Sequence, residues 1–323
     1  MLEVAKNIYC FPIPFRNSPL RELNGFVIKG ENRHLMVDVG FNLPEGYEAV
    51  TKAFAELGIS LKDTDIFLTH MHADHTGLVE QLKKECGKIY ISETDGYHVN
   101  RTFQEEYWVK CMHIQDHMGF PDAETLPFQE HPAFIGGVQT HTSFENVTEG
   151  MSFSYGGYDF DAIDLKGHTP GQMGLYDKNA GILFSGDHIL EKITPNINLW
   201  DFEQDYLGLF LENLKKVKTL NVKRLFSGHR ALVLDANKRI DELIFHHDER
   251  LNYVLKALAD GKTTVYEVAM ELRWNYGGGY FGDFPAPQKW FSASEVFTHL
   301  EHLRRIGKVK LIIDGLTYKY TVA

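Results

Sequence analysis

Short apolar runs and amphipathic segments alternate along the first third of the chain. Residues 25–29 and 34–40 are rich in β-branched and large apolar side chains, which is typical of strands. Apolar residues then recur at helical spacing over roughly 45–57. An apolar run at 65–68, a helical pattern over 77–85 and a further run at 88–92 follow. This order of strands and helices predicts a layered α/β fold.

Residues 95–150 interrupt this rhythm. They are rich in aromatic residues, Met and His, and they predict helices and loops inserted between parts of a sheet. Strand patterns return after Met151, and a helical pattern over 206–218 precedes the last of them. The predicted strands of this part cover residues 153–155, 159–164, 173–176, 181–184 and 224–226.

The character of the chain changes near residue 238. Three helical patterns cover roughly 239–258, 264–272 and 292–306. Two alternating strands follow, joined through Asp314-Gly315, a dipeptide that favours a hairpin turn. Three helices followed by a hairpin is the order of a winged-helix domain. We therefore predict two domains, covering residues 1–237 and 238–323.

Composition narrows the class of protein. The chain has 323 residues, 43% of them hydrophobic, which is enough for one large and one small packed unit. No run approaches the roughly 18 apolar residues of a membrane span, and the N-terminus lacks the pattern of a signal peptide. Three widely spaced cysteines indicate neither a disulfide framework nor a thiolate zinc site. We expect a cytoplasmic protein.

One loop carries unusually dense ligand chemistry. The segment Thr69-His70-Met71-His72-Ala73-Asp74-His75 places three imidazoles and a carboxylate within six positions, directly after the apolar run 65–68. Folding alone does not require such a cluster. Imidazole nitrogen and carboxylate oxygen are typical zinc ligands, so the loop predicts a metal site.

Three later loops each present one further ligand-type residue beside a glycine. They carry His168, Asp187 and His229, and each of the three follows a predicted strand. Glycine allows the sharp turn that brings the backbone close to an ion. Together with the His-rich loop, these three loops make four ligand-bearing segments. They offer more ligands than one cation binds, which predicts a site for more than one cation.

These motifs resemble the metallo-β-lactamase-fold hydrolases, whose His-x-His-x-Asp-His signature matches residues 70–75. The resemblance covers residues 1 to about 235 and implies a four-layer αββα sandwich with two metal ions. It implies that His70, His72 and His168 hold the first ion. It assigns Asp74, His75 and His229 to the second ion, with Asp187 as a bridge. Asp38 and His188 are expected to contact the metal-binding side chains and not the ions themselves.

The same resemblance limits the chemistry. β-Lactamases of the commonest type have Cys where Asp187 stands, and flavodiiron oxidoreductases have Glu where His72 stands, so both activities are disfavoured. The glyoxalase-II-like ligand set favours two Zn²⁺ ions, with Fe or Mn as alternatives, and a metal-bridging hydroxide as nucleophile. Asp74 is the expected catalytic residue because its carboxylate could orient that hydroxide.

The substrate is left open between classes. We favour a small ester, thioester or lactone, bound against the aromatic and Met-rich insertion of residues 95–150. The insertion histidines, expected to pack or face solvent, are His98, His113, His117, His131 and His141. An iron-dependent enzyme similar to sulfur dioxygenases is a further alternative.

A metal-dependent endoribonuclease is the main alternative, because the C-terminal segment resembles the winged-helix extension of one branch of the superfamily. Arg304, Arg305, Lys308 and Lys310 could contact phosphates. Residues 238–323, however, are nearly neutral, with 12 Lys+Arg against 11 Asp+Glu, whereas residues 1–237 carry 21 Lys+Arg against 33 Asp+Glu, a net charge of −12. A nucleic-acid partner is therefore not favoured, and a role in packing or homo-oligomer formation is the alternative for this segment.

Overall fold

The computed structural model describes residues 1–15, 20–121, 127–276 and 278–323. Within these residues, the N-terminal part forms a seven-stranded sheet whose strands are neighbours in sequence order. Pairing is antiparallel from β1 to β4 and parallel from β4 to β7. The strands are β1 (Leu2–Ala5), β2 (Ile8–Pro14), β3 (Glu22–Ile28), β4 (His34–Val37), β5 (Thr64–Phe67), β6 (Ile89–Ser92) and β7 (Glu145–Val147).

A second sheet of five strands has the order β12-β11-β10-β9-β8, again within the described residues. Only β11 and β12 are paired in parallel. These strands are β8 (Ser152–Tyr155), β9 (Tyr158–Asp164), β10 (Met173–Asp177), β11 (Ile182–Gly186) and β12 (Arg224–Ser227).

Large aromatic side chains from both sheets form a shared core. Phe26 of the first sheet packs on Phe184 and Phe226 of the second, with ring centroids 5.3 and 5.4 Å apart. Each fully buried Phe contributes roughly 1.5–3 kcal/mol through removal of apolar surface from water. This aromatic layer holds the two sheets face to face, so that strand ends of both sheets lie at a common edge.

Helices cover the outer faces of both sheets. Two separate apolar clusters lie outside the shared core, one around α1 and α3 and the other around α7 to α10. The helices of the first part are α1 (Pro44–Leu57), α2 (Ala73–Thr76), α3 (Val79–Leu82), α4 (Glu93–Val99), α5 (Glu105–Asp116), α6 (Pro132–Gly136) and α7 (Tyr206–Thr219). The C-terminal elements are α8 (Ala236–Ala259), α9 (Val265–Glu271), α10 (Ala286–Arg305), β13 (Val309–Asp314) and β14 (Thr317–Val322).

The two sheets and their helices confirm the α/β part of the predicted fold class, and the differences in element boundaries are local. Within the predicted helix over 77–85, only α3 is a regular helix, because the Leu78 amide donates to the Gly40 carbonyl at 2.8 Å and not to the carbonyl four residues earlier. Helix α10 begins at Ala286, six residues before the predicted start, because Pro287 fits the first helical turn. Strand β7 lies inside the segment predicted to hold only helices and loops.

The C-terminal order of three helices and a hairpin is as the sequence indicates, while the winged-helix assignment and the boundary at 237/238 stay predictions. Among the residues that the structure describes, no helix is both long and apolar enough to cross a membrane.

Candidate metal centre

The ligand-type loops meet at one edge of the two sheets. The His-rich loop follows β5, the loop with His168 precedes β10, and the loops with Asp187 and His229 follow β11 and β12. Because β4 with β5 and β11 with β12 run parallel, the carboxyl ends of these strands point the same way. A bond of 2.8 Å from the Met173 amide to the Thr69 carbonyl joins the loops of the two sheets.

Three imidazoles form the first group. His72 Nδ1 lies 3.1 Å from His70 Nε2 and 3.0 Å from His168 Nε2. His70 and His168 are buried, and the ring of His72 is half-buried. Three nitrogens that converge this closely can share one cation.

Asp74, His75 and His229 form the second group. Asp74 Oδ2 lies 3.2 Å from His229 Nε2 and 3.9 Å from His75 Nε2. The imidazole rings of His75 and His229 are fully buried. Asp74 and His75 therefore belong to a different ligand group from His70 and His72, although all four residues lie in one loop.

Asp187 lies between the two groups. Its Oδ1 is 3.4 Å from His75 Nε2, and its Oδ2 is 3.5 Å from His229 Nε2 and 4.0 Å from His168 Nε2. Asp187, His70 and His75 also have ligand atoms within 4.8 Å of one another, so the two groups are continuous. The structure therefore brings together all seven predicted ligand residues.

The buried atoms of this cluster fit divalent cations. His75 Nε2, Asp187 Oδ1 and His229 Nε2 have no hydrogen-bond partner within the described residues, and each faces other ligand atoms. Buried polar atoms without partners are costly unless a ligand satisfies them. Gly228 leaves the necessary room, because a Cβ there would lie 2.5 Å from Asp187 Oδ1.

The charges of the cluster also call for cations. Burial lowers the pKa of His75, but the surrounding carboxylates, Asp187 first, outweigh burial and raise this pKa well above its ordinary value. Burial raises the pKa of Asp74, but the imidazoles of His75 and His229 lower it to about 2. The carboxylates are thus ionised and favour positive charge where the imidazole nitrogens converge.

The remaining ring nitrogens of three of the imidazoles are held by neighbours. His75 Nδ1 lies 2.8 Å from Asp38 Oδ2, His168 Nδ1 lies 2.7 Å from the carbonyl of Asn196, and His229 Nδ1 lies 2.9 Å from the carbonyl of Glu22. An acceptor at Nδ1 fixes the tautomer that leaves a lone pair at Nε2. The surroundings therefore prepare these imidazoles as ligands.

A sequence model of the Metallo-beta-lactamase superfamily matches residues 21–229, which contain this whole cluster. The chain belongs to this superfamily. Among curated superfamily relatives, the probable metallo-hydrolase YqjP of Bacillus subtilis (strain 168) is 24% identical and covers 90% of this chain and 91% of its own length. An atrochrysone carboxyl ACP thioesterase of a Cryptosporiopsis species is 21% identical over 76% of this chain. A lactamase-like protein of Pestalotiopsis microspora is 25% identical over 74% of this chain.

The matches span 60% of the thioesterase and 59% of the lactamase-like protein, so this chain corresponds to only part of those two relatives. A metallo-beta-lactamase family protein of Thermus thermophilus has a TM-score of 0.81 at 24% identity, covering 99% of this chain and 100% of its own. A beta-lactamase domain protein of Burkholderia ambifaria has a TM-score of 0.81 at 20% identity, covering 100% of this chain and 94% of its own. The shared fold thus includes the C-terminal helices and hairpin. The predicted metal-dependent hydrolase is confirmed at the level of the superfamily.

Asp38 contacts the His-rich loop and one of the candidate metal ligands. Its Oδ1 accepts a bond of 2.8 Å from the Thr69 amide, and its Oδ2 accepts bonds of 2.8 Å from the Thr69 hydroxyl and from His75 Nδ1. Asp38 has the left-handed backbone angle φ of 56°, which is uncommon outside glycine. The unusual backbone directs this carboxylate to the base of the His-rich loop.

Sequence reasoning missed Asp95, which joins two ligand loops. Its carboxylate accepts bonds from the Met71 amide (2.9 Å), the Thr169 hydroxyl (2.6 Å) and the Gly171 amide (2.7 Å). Burial outweighs these donors and raises the pKa of Asp95 to about 6. The one available signal is its position three residues after β6, the strand that neighbours β5.

Sequence reasoning also missed Asn24 of β3. Its amide nitrogen donates to the Gly228 carbonyl at 2.7 Å, and its side chain donates to the carbonyls of Ser227 and Arg230 at 3.0 and 2.8 Å. Asn24 thus ties the His229 loop to the first sheet.

The other predicted residues lie away from the ligand atoms. His188 packs its buried ring on Phe210, with centroids 4.8 Å apart, rather than on a ligand side chain. Burial lowers the pKa of His188 to about 3, so the ring is neutral. In the described part of the chain, the insertion histidines belong to none of the ligand groups. His117, for example, stacks on Tyr318 of the hairpin at 4.2 Å.

Proposed function

We propose that the chain is a dinuclear-metal hydrolase that cleaves a small ester, thioester or lactone. The convergence of seven buried or half-buried ligand side chains in two linked groups carries this proposal. Zn²⁺ is the proposed metal because imidazole and carboxylate are its common ligands. The first ion would be held by His70, His72 and His168, the second by Asp74, His75 and His229, and Asp187 would bridge them.

Bound divalent cations in such a site supply Lewis acidity and lower the pKa of water toward neutrality. The protein's own contribution is orientation. Asp74 has a side chain 14% exposed, against 10% for Asp187, and its lowered pKa keeps it ionised. We propose that the Asp74 carboxylate orients the attacking water by accepting a hydrogen bond from it, while Asp187 is retained as the bridge.

Aromatic side chains beside the first group support an apolar acyl substrate. Trp200 lies 6.0 Å from His72 between ring centroids, and His98 lies 6.0 Å from Trp200. The Tyr107 hydroxyl is 2.9 Å from His98 Nδ1. Such a surface favours an acyl or aryl group over a phosphate. The thioesterase among the relatives supports the same class.

The C-terminal segment supports packing better than RNA binding. We propose a winged-helix fold for residues 238–323. Arg304 is paired with the buried carboxylate of Glu301, at 2.9 Å from Nε and 2.7 Å from its terminal nitrogen. Arg305 donates to the Phe202 carbonyl at 2.6 Å. Two of the four cations proposed to contact phosphates are therefore engaged within the protein.

The test is a substrate screen of the zinc-loaded protein against acyl thioesters, aryl esters, lactones, bis-p-nitrophenyl phosphate and short single-stranded RNA. We expect turnover of thioesters or esters that disappears in Asp74→Asn and in the chelated protein. Cleavage of RNA or the phosphodiester without ester or thioester turnover would contradict the proposal. Binding of RNA at low salt would independently support the nuclease alternative, since phosphate contacts are strongest there.

A further inference from the structure

Helix α10 reaches the candidate metal centre through one loop residue. Asn196 lies in the segment after β11, and its backbone carbonyl is 2.7 Å from His168 Nδ1. The side chain of the same residue donates to Glu295 Oε2 at 3.0 Å and to the Phe291 carbonyl at 3.1 Å. Asn196 therefore joins a proposed metal ligand to two residues of a helix far along the chain.

Glu295 is an unusual partner because it is a buried carboxylate. It is 7% exposed, and every residue of α10 from 292 to 301 is buried. The opposing charge comes from Arg250 of α8, whose Nε is 3.6 Å from Glu295 Oε1. The guanidinium of Arg250 is itself held 4.3 Å above the Trp274 ring. Burial raises the pKa of Glu295, against the opposing effects of Arg250 and Asn196.

A buried ion pair of this kind is weak evidence for stability, because desolvation offsets most of the attraction. Its geometry instead points to orientation of a neighbour. The ring of His168 can offer Nε2 to a cation only if Nδ1 carries the proton and donates it. The acceptor is the backbone carbonyl of Asn196, which lies in a segment without regular secondary structure. The orientation of this carbonyl therefore depends on the contacts that hold the Asn196 side chain.

We propose that Glu295 is a positioning residue for His168, acting through Asn196, so that the C-terminal segment forms part of the support of the metal centre. This inference rests on the proposed metal-binding role of His168. It gives the segment a role at the hydrolytic site that requires no nucleic acid.

Ser294 provides a matched control. Its buried hydroxyl accepts a bond of 3.1 Å from the Leu199 amide, so it also joins α10 to the segment after β11. The hydrogen bonds of the described residues include none between Ser294 and Asn196. Ser294→Ala therefore removes a bond between the same two elements and leaves the path to His168 intact.

The experiment measures the two stepwise zinc affinities of the full-length protein by competition with a chromophoric chelator. We expect Glu295→Ala and Asn196→Ala to weaken one zinc step by roughly 10- to 100-fold. Ser294→Ala should stay close to wild type. Glu295→Gln should also stay close, because its carbonyl oxygen can still accept from Asn196. Adding Glu295→Ala to His168→Ala should weaken binding no further, since the path ends at His168.

Equal zinc affinities in Asn196→Ala, Ser294→Ala and wild type would overturn the positioning role, as would additivity of Glu295→Ala with His168→Ala. Asn196 is half-buried in a loop, so its variant keeps the test decisive if Glu295→Ala fails to fold. Failure of the wild-type protein to bind zinc would instead refute the proposed function, which separates the two outcomes.

Discussion

Replacing Asp38 by Asn removes one charge beneath the proposed metal centre and leaves the side-chain shape almost unchanged. Asn tolerates the left-handed backbone of this position, where φ is 56°, so the substitution adds no backbone strain. The carboxylate accepts three bonds of 2.8 Å, two at Oδ2 and one at Oδ1. An amide has only one oxygen and cannot accept at both positions.

Either orientation of the new amide has a cost. With its oxygen at the Oδ2 position, the NH₂ group faces the Thr69 amide and one bond is lost. With the amide reversed, His75 must accept at Nδ1 and carry its proton at Nε2, the atom that faces Asp187. A lost bond to a charged group costs about 1.5–3 kcal/mol. That cost applies to the free energy of unfolding. In either orientation His75 also loses its charged partner at Nδ1, and loss of a carboxylate partner of this kind weakens metal binding by roughly 10- to 100-fold.

The assay is the zinc competition titration, with Asp177→Asn as control. Asp177 is buried at the opposite end of β10 and accepts from the Asp159 and Ala180 amides at 2.9 and 2.7 Å. We expect both variants to lower the free energy of unfolding of the metal-free protein, and Asp38→Asn alone to weaken zinc binding. Unchanged zinc affinity in Asp38→Asn would refute the reasoning about His75.

Three further predictions concern positions around the sheets. In Asp95→Asn, the new side-chain NH₂ would face the Gly171 amide, so that two donors meet. We expect this variant to lose about 1–3 kcal/mol in the free energy of unfolding, measured by denaturation, and to bind zinc more weakly in the competition titration. Gly228→Ala should reduce zinc uptake measured by mass spectrometry, because a Cβ would lie 2.5 Å from Asp187 Oδ1. Burial raises the pKa of Asp65, but hydrogen bonds from Arg33 and Tyr155 lower it more. The ionised Asp65 carboxylate should thus stabilise the fold above the ordinary pKa of about 4, and this stabilisation should disappear as the pH falls through the lowered pKa. In denaturation scans, Asp65→Asn should therefore be less stable than wild type at pH 7 and equally stable in acid.

The ligands could be predicted because their chemistry is local. His70, His72 and Asp74 stand close together after an apolar strand, and that density has no ordinary folding explanation. His229 and Asp187 stand beside glycines at strand ends, so the parallel strands of an α/β fold predict that they meet. The resemblance to the αββα hydrolases then assigns these residues to one site.

The supporting residues could not be predicted in this way. Asp95, Asn24 and Asn196 act through hydrogen bonds to segments that are distant in sequence, and none of them has a distinctive neighbour in the chain. Their roles depend on tertiary contacts that no period of hydrophobic residues encodes. The same applies to Glu295, whose carboxylate would be expected on the surface of an amphipathic helix but lies in a stretch of α10 that is buried on all sides.

Secondary-structure boundaries failed for local physical reasons. The predicted helix after the His-rich loop is interrupted because the Leu78 amide donates to the Gly40 carbonyl, outside the helix, and not to the carbonyl four residues earlier. Helix α10 starts early because prolines are compatible with a first helical turn, although they are commonly taken as breaks.

The most direct test of a dinuclear centre is the zinc content of the protein after equilibration with zinc and removal of free metal, measured by inductively coupled plasma mass spectrometry. The account predicts two zinc ions per wild-type chain and fewer in Asp187→Ala, because that variant lacks the bridging carboxylate. One zinc ion or none per wild-type chain would contradict it.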